Sequence, residues 1–124
     1  MIINLTQHAP TQEQIQSGVV DSDRAAIKAA LSFESLPTRE EIQARAHALA
    51  DIAESAGADC AMIGGAPYLM APLEAALAWA GIQPFYSFTE RVSVEETLPD
   101  GSVRKTAVFK HCGWVRGREA EILQ

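Results

Sequence analysis

Apolar residues fall along this chain in short runs cut off by glycine or proline, and in longer stripes at helical spacing. Ile2 to Leu5 is a first apolar run and predicts a strand that ends in Thr6-Gln7-His8-Ala9-Pro10. Thr11 precedes Gln14 in a capping-box pattern, so a short helix is expected there, stopped by Gly18. Val19-Val20 is a β-branched pair and predicts a very short second strand. Asp21-Ser22 can cap a helix from about Asp23 to Leu31, with Ala26, Ile27, Ala30 and Leu31 on one face. Ser35-Leu36-Pro37 breaks the chain. Thr38 with Glu41 then opens the longest helix, to about Ala56, and its stripe of Ile42, Ala46, Leu49 and Ala53 faces a sheet. Gly57 supplies the left-handed stop.

The centre of the chain is Asp59 to Arg91. Cys60 to Ile63 is an apolar run that ends in Gly64-Gly65, as a buried strand would. A helix from about Pro67 to Ala80 buries Leu69, Leu73, Ala76, Leu77 and Ala80, with a kink or a later start expected at Pro72. Gly81 closes it, and Phe85 to Phe88 is a fourth strand ending in Thr89-Glu90-Arg91. Strand, helix and strand make one crossover unit, which puts both strand ends on the same edge of a sheet. After Arg91 the period changes to two. Val92 to Glu95 alternates, Leu98 to Ser102 contains Asp-Gly, and Val103 to Phe109 is β-rich, a β-hairpin. Val115 to Gln124 reads as a short helix or a frayed tail. The order β-α-β-α-α-β-α-β plus a hairpin predicts an α/β fold, a mainly parallel sheet with flanking helices and a C-terminal antiparallel β-hairpin. If the fourth strand runs up to Arg91, the hairpin descends, turns at Asp100-Gly101 at the bottom and rises again to bring His111 to the rim.

Length and charge narrow the classes. The chain has 124 residues, expected as one domain, and a net charge of −6. That charge argues against long DNA or RNA as a partner, since counterion release needs a basic surface. It leaves room for a small anion in a local pocket. Six of the ten basic residues lie late in the chain, at Arg91, Arg104, Lys105, Lys110, Arg116 and Arg118. No run of about eighteen apolar residues exists to span a membrane. The N-terminus lacks the pattern of a signal peptide, so cytoplasm is the expected compartment. Cys60 and Cys112 match no metal spacing, a disulfide is disfavoured in a reducing compartment, and Cys60 reads as a small hydrophobe.

The candidate chemistry sits at the predicted rim. Gly64-Gly65-Ala66-Pro67 leads a strand into a helix, where backbone amides and the positive dipole end suit an anion; a tight turn with no ligand is the alternative. It matches neither a dinucleotide fingerprint nor a P-loop. His8 and His111 follow strand ends and could serve as acid and base, or simply as loop histidines, whereas His47 belongs to the polar face of the long helix. Arg91 can hold a phosphate with paired hydrogen bonds, or form a salt bridge with Glu90 or Glu95. Ser87 is a nucleophile candidate without an evident base. Too few ligands are on offer for zinc, so no metal and no cofactor is expected.

Several stretches together resemble a known family: Asn4-Leu5-Thr6-Gln7-His8, Asp59 to Gly65, Gly81 to Arg91, Asp100 to Val103 and Phe109 to Trp114. In this order they look like the small stand-alone proteins related to CRISPR-associated Rossmann-fold (CARF) domains. Some of these are ring nucleases, which bind and cleave the cyclic oligoadenylate messengers of antiviral defence. The resemblance implies a single Rossmann-like domain over 1–124, with 115–124 as a tail, and a homodimer with one symmetric ligand site. It also implies metal-independent cleavage, in which a ribose 2′-hydroxyl attacks the adjacent phosphate. Carried onto this chain, it makes His8, His111 and Arg91 catalytic candidates and Thr6, Gln7, Gly64, Gly65, Ala66 and Thr89 ligand-binding ones. The expected partner is a small anionic nucleotide, with no long nucleic acid and no membrane. The very apolar Tyr68-Leu69-Met70 departs from the family's ligand loop and favours a second reading, a non-enzymatic interaction protein of the phage or mobile-element type. A conventional metabolic hydrolase, the third reading, lacks a recognisable triad or metal set.

Overall fold

A computed structural model describes residues 1–121, and the last three residues of the chain, expected as tail, lie outside the described residues. It is a mixed α/β fold with five strands: β1 (Ile2–Leu5), β2 (Val19–Val20), β3 (Cys60–Ile63), β4 (Gln83–Thr97) and β5 (Val103–Arg116). The helices are α1 (Gln12–Gln16), α2 (Arg24–Leu31), α3 (Arg39–Ser55) and α4 (Pro67–Trp79). The sheet order is β2-β1-β3-β4-β5. β1 pairs in parallel with β2 and β3, β3 pairs in parallel with β4, and β4 with β5 is antiparallel.

Local chemistry explains where the helices begin. Thr11 accepts a hydrogen bond from the Gln14 N–H, and the Gln14 side chain accepts one from the Thr11 N–H, which closes the expected capping box. α2 is capped by Asp23 rather than by Asp21-Ser22, because the Asp21 carboxylate is drawn off to Asn4 and Arg24. Thr38 caps α3 through the Glu41 N–H, while the Glu41 carboxylate turns to Arg45 at 3.2 Å. α4 has Pro67 in its first turn, where a missing N–H costs nothing, and it continues through Pro72.

The main core lies on one face of the sheet. Ile3 and Leu5 of β1 and Ala61 and Ile63 of β3 pack against Ile27 and Leu31 of α2, Leu49 and Ala53 of α3, and Leu69, Leu73 and Leu77 of α4. Burying each leucine contributes about 1.5–3 kcal/mol. Leu69 and Met70 are buried in this core, and Tyr68 packs edge-on against Phe33 with ring centroids 5.4 Å apart. Leu69 and Met70 of this apolar stretch therefore serve the fold, while Tyr68 stays half exposed. The opposite face carries Asn4, Met62 and Phe85, which are in register across three strands. Short α1 covers it there, since Gln14 reaches Ser87 on the same face.

The hairpin differs from expectation. The chain does not turn at Thr89-Glu90-Arg91; β4 continues unbroken to Thr97 and pairs along its length with β5. Beyond Phe85 it has lost its contact with β3, so the β4–β5 pair leaves the sheet as a two-stranded ribbon. From Thr89 to Thr97 it extends roughly 26 Å at the usual rise per residue. Asp100-Gly101 therefore sits at the far tip instead of the bottom of the sheet, with Gly101 at φ 85° and the Asp100 carboxylate bound by the Ser102 N–H and hydroxyl. Those hydrogen bonds hold the Asp100 carboxyl below its usual pKa. The polar residues that read as a strand end are the exposed positions of a strand with no sheet above or below it. Val115 and Arg116 complete β5 in place of a helix, and residues 117–121 run back along the body, where the Gly117 N–H bonds the Pro84 carbonyl at 2.9 Å. Among the described residues, no helix is long and apolar enough to cross a membrane.

Candidate functional site

The site starts from the ends of β1 and β3. β1 sends the chain outward to β2 on one side and has β3 on the other. Connections leaving neighbouring parallel strands in opposite directions open a crevice beyond their C-terminal ends. A cleft of about 370 Å³ lies there, lined by Thr6, Gln7, His8, Gln14, Gly64, Gly65, Ser87 and Thr89 among others. Six of the residues expected at the rim, Thr6, Gln7, His8, Gly64, Gly65 and Thr89, share this one cleft. Gly65 has φ 150°, a conformation that L side chains rarely adopt, so the turn into α4 calls for glycine. Ala66 is the N-cap of α4 and makes no side-chain cap hydrogen bond.

The Thr6–His8 wall is held from behind by residues that the sequence did not single out. Asn4 is fully buried. Its amide nitrogen donates to the His8 carbonyl at 2.8 Å and to Asp21 at 2.9 Å, and its oxygen accepts from the Thr6 N–H at 3.0 Å and the Thr6 hydroxyl at 2.6 Å. All four hydrogen-bonding positions of the amide are thus used. Arg24 donates to the carbonyls of Thr6, Gln7 and His8 at 3.3, 2.6 and 3.1 Å. A polar residue at an inward position of a first strand, and an arginine in the first turn of a helix with no acidic neighbour in that turn, were the available signals.

The other wall is β4, backed by β5. Ser87 and Thr89 point to the cleft, and Tyr86, on the opposite face, donates to Glu74 of α4 at 2.8 Å. Burial and that carboxylate raise the Tyr86 pKa. A register shift between Phe88 and Thr89 sets Trp114 opposite Ser87 and His111 opposite Thr89. Trp114 and His111 thereby share a face, with ring centroids 4.5 Å apart. His111 is only 8% exposed and stands behind Ser87, its Nδ1 2.5 Å from the Ser87 hydroxyl oxygen. His111 thus reaches the rim, but it does so on the descending arm of the ribbon and does not line the cleft. Arg91 lies one step further along the face of Ser87 and Thr89, opposite Phe109, and makes no ion pair with Glu90 or Glu95.

Elsewhere the chemistry is sparse. A groove of about 430 Å³ between α3 and α4 is larger than the cleft, and its three carboxylates, Asp51, Glu54 and Glu121, outnumber the one arginine, Arg118, so it disfavours an anion. His47, an exposed residue, also lines it. Cys60 and Cys112 are free thiols, the former with its pKa raised by burial and by Asp59. Among the described residues, no three His, Cys, Asp or Glu side chains are grouped to hold a metal ion.

The chain belongs to the family described as "Uncharacterized protein MJ1673 family", whose model matches residues 1–115. No curated protein and no solved structure matches it.

Proposed function

We propose that this MJ1673-family chain binds a small phosphate ligand of the cyclic oligoadenylate class in the cleft beyond β1, β3 and β4, and cleaves it without metal. The observation that carries the reading is the convergence of Thr6, Gln7, His8, Gly64, Gly65 and Thr89 on one cleft from three separate stretches of sequence. Its position is supported by the strand order, since ligands of open, Rossmann-like sheets bind where the connections diverge. Its charge preference is supported by α4, which points its N-terminus at the cleft with no acidic residue in the first turn and no capping side chain. Arg91 lies on the same face without an ion pair among the described residues, and in this reading it grips a second phosphate. In this reading the ligand's 2′-hydroxyl attacks the adjacent phosphate while the chain orients it and stabilises the developing charge.

A homodimer belongs to the same proposal. One ribbon face presents Phe88, Val92, Val94 and Val108 to solvent, flanked by Glu96–Arg104 at 2.7 Å. A two-stranded ribbon is marginal alone in water, so a second copy against this face is the economical cover. The same face also supports the alternative of a non-enzymatic interaction protein, in which the ribbon, not Tyr68-Leu69-Met70, meets the partner.

A thermal-shift titration with cyclic tri-, tetra- and hexa-adenylate separates the two. Binding to the native state alone raises the midpoint, so at least one ligand is expected to do so. A flat response at high excess of all three removes the nucleotide reading.

A further inference from the structure

We infer that Ser87 is the catalytic residue that meets the ligand, and that His111 acts only through it, as the proton acceptor behind the Ser87 hydroxyl. The inference rests on the proposed function and adds to it the path of the proton.

The hydrogen-bond directions follow from a chain of fixed groups. The Thr11 N–H donates to Gln14 Oε1 at 2.9 Å, which leaves Gln14 Nε2 as the end that faces Ser87. Nε2 has only protons to offer, so it donates to the Ser87 oxygen, at 3.1 Å. The Ser87 proton is then directed at its other neighbour, His111 Nδ1, at 2.5 Å. Nδ1 is the acceptor, and the ring's proton resides on Nε2. The α1 capping box thus sets the tautomer of a histidine on β5. Trp114 holds the ring in place, and Ser87 stands between it and the cleft.

The step balances as follows. The ligand's 2′-hydroxyl gives its proton to the Ser87 oxygen as Ser87 gives its own to His111 Nδ1. The 2′-oxygen forms a bond to phosphorus, and the bond from phosphorus to the 5′-oxygen breaks. The departing oxygen takes a proton from water at the open mouth of the cleft, and the imidazolium returns its proton to solvent by way of Ser87. Ser87 ends as it began. A positioned base of this kind contributes about 10²–10⁴-fold.

Two measurements test this. Nitrogen-15 NMR of the ring reads the tautomer with no ligand present. The Nε2–H form is expected for His111, and a dominant Nδ1–H form overturns the inference. Single-turnover cleavage of cyclic tri-, tetra- and hexa-adenylate is then compared across variants. Ser87→Ala and His111→Ala are each expected to slow cleavage about 100-fold or more, with no further loss in the double variant. Ligand affinity stays within a few-fold, and Ser87→Thr, which keeps the hydroxyl, recovers turnover. Cleavage that survives Ser87→Ala while His111→Ala abolishes it, or losses that multiply, overturns the relay alone. A wild type that cleaves none of the three overturns the cleavage half of the proposed function and the relay with it.

Discussion

Arg24 Nη2 lies 2.6 Å from the carbonyl oxygen of Gln7, and the same guanidinium also reaches the carbonyls of Thr6 and His8. Its terminal nitrogens are spent on the backbone of the cleft wall and on Asp21, so it orders the wall rather than facing a ligand. Arg24→Ala is expected to lower stability by about 1–2 kcal/mol. It should also speed amide exchange at residues 6–8. Denaturant melts and hydrogen exchange check both, and unchanged exchange in that loop would refute the role.

Asn4 tests the same wall from inside. Asn4→Asp replaces a donor beside Asp21 with a second carboxyl group. The new group is held above its unfolded pKa, near 3.9. The destabilisation is therefore small below that value and grows as pH rises through the folded pKa, whereas wild type lacks this added slope. Urea melts from pH 3 to pH 7 give the comparison. A penalty that shrinks toward neutrality contradicts the prediction.

Tyr86 gives a linkage of its own. Its folded pKa is raised by burial and by Glu74. The stability it contributes is whole below the unfolded tyrosine value of about 10 and is lost as pH climbs toward the folded one. Between pH 9 and 11, wild type should lose more stability than Tyr86→Phe, as read by thermal midpoints. Parallel curves would remove the Tyr86–Glu74 pair as the cause.

Arg91→Ala is expected to weaken cyclic oligoadenylate binding about tenfold or more, through loss of a charge-assisted contact. Lys105→Ala, further along the same ribbon face, is the control and should change binding little. Arg45 is unsuitable for that purpose, because it bonds the Ala29 and Ser32 carbonyls and stacks on Phe33. Equal effects of Arg91→Ala and Lys105→Ala in titration calorimetry would move the ligand elsewhere.

Val94→Lys places a charge in the middle of the exposed apolar ribbon face. It should convert the proposed dimer to monomer at micromolar concentration by light scattering, with little change in the monomer's secondary structure. A wild type that is already monomeric under those conditions would rule out the dimer.

The sequence made the elements legible because each has a local cause. Thr11 with Gln14, Thr38, Gly57, and the Cys60–Ile63 run before Gly64-Gly65 all act over a few residues. It also brought Thr6, His8, Gly64 and Thr89 to one rim, since strand direction follows from the crossover pattern. The alternation after Arg91 made the hairpin and its Asp100-Gly101 turn legible, but not the continuity of its first strand with β4. A strand that leaves its sheet carries exposed polar residues at the exit, and Thr89-Glu90-Arg91 then looks like an ending. The Ser87–His111 contact was hidden for a related reason, because it depends on a register shift between two strands. Arg24 and Asn4 act through backbone carbonyls, which leave no trace in side-chain spacing.

β4 is one uninterrupted strand, a cleft wall at its root and a free arm at its tip. Mechanically that makes it a lever with its fulcrum near the irregular step at Phe88/Thr89. With an arm of roughly 26 Å, a tilt of about ten degrees sweeps the tip through some 4–5 Å while Thr89 barely shifts. Whatever grasps the distal end therefore acts on the cleft wall at a large mechanical advantage, a wide swing at the tip becoming a fine adjustment at its root.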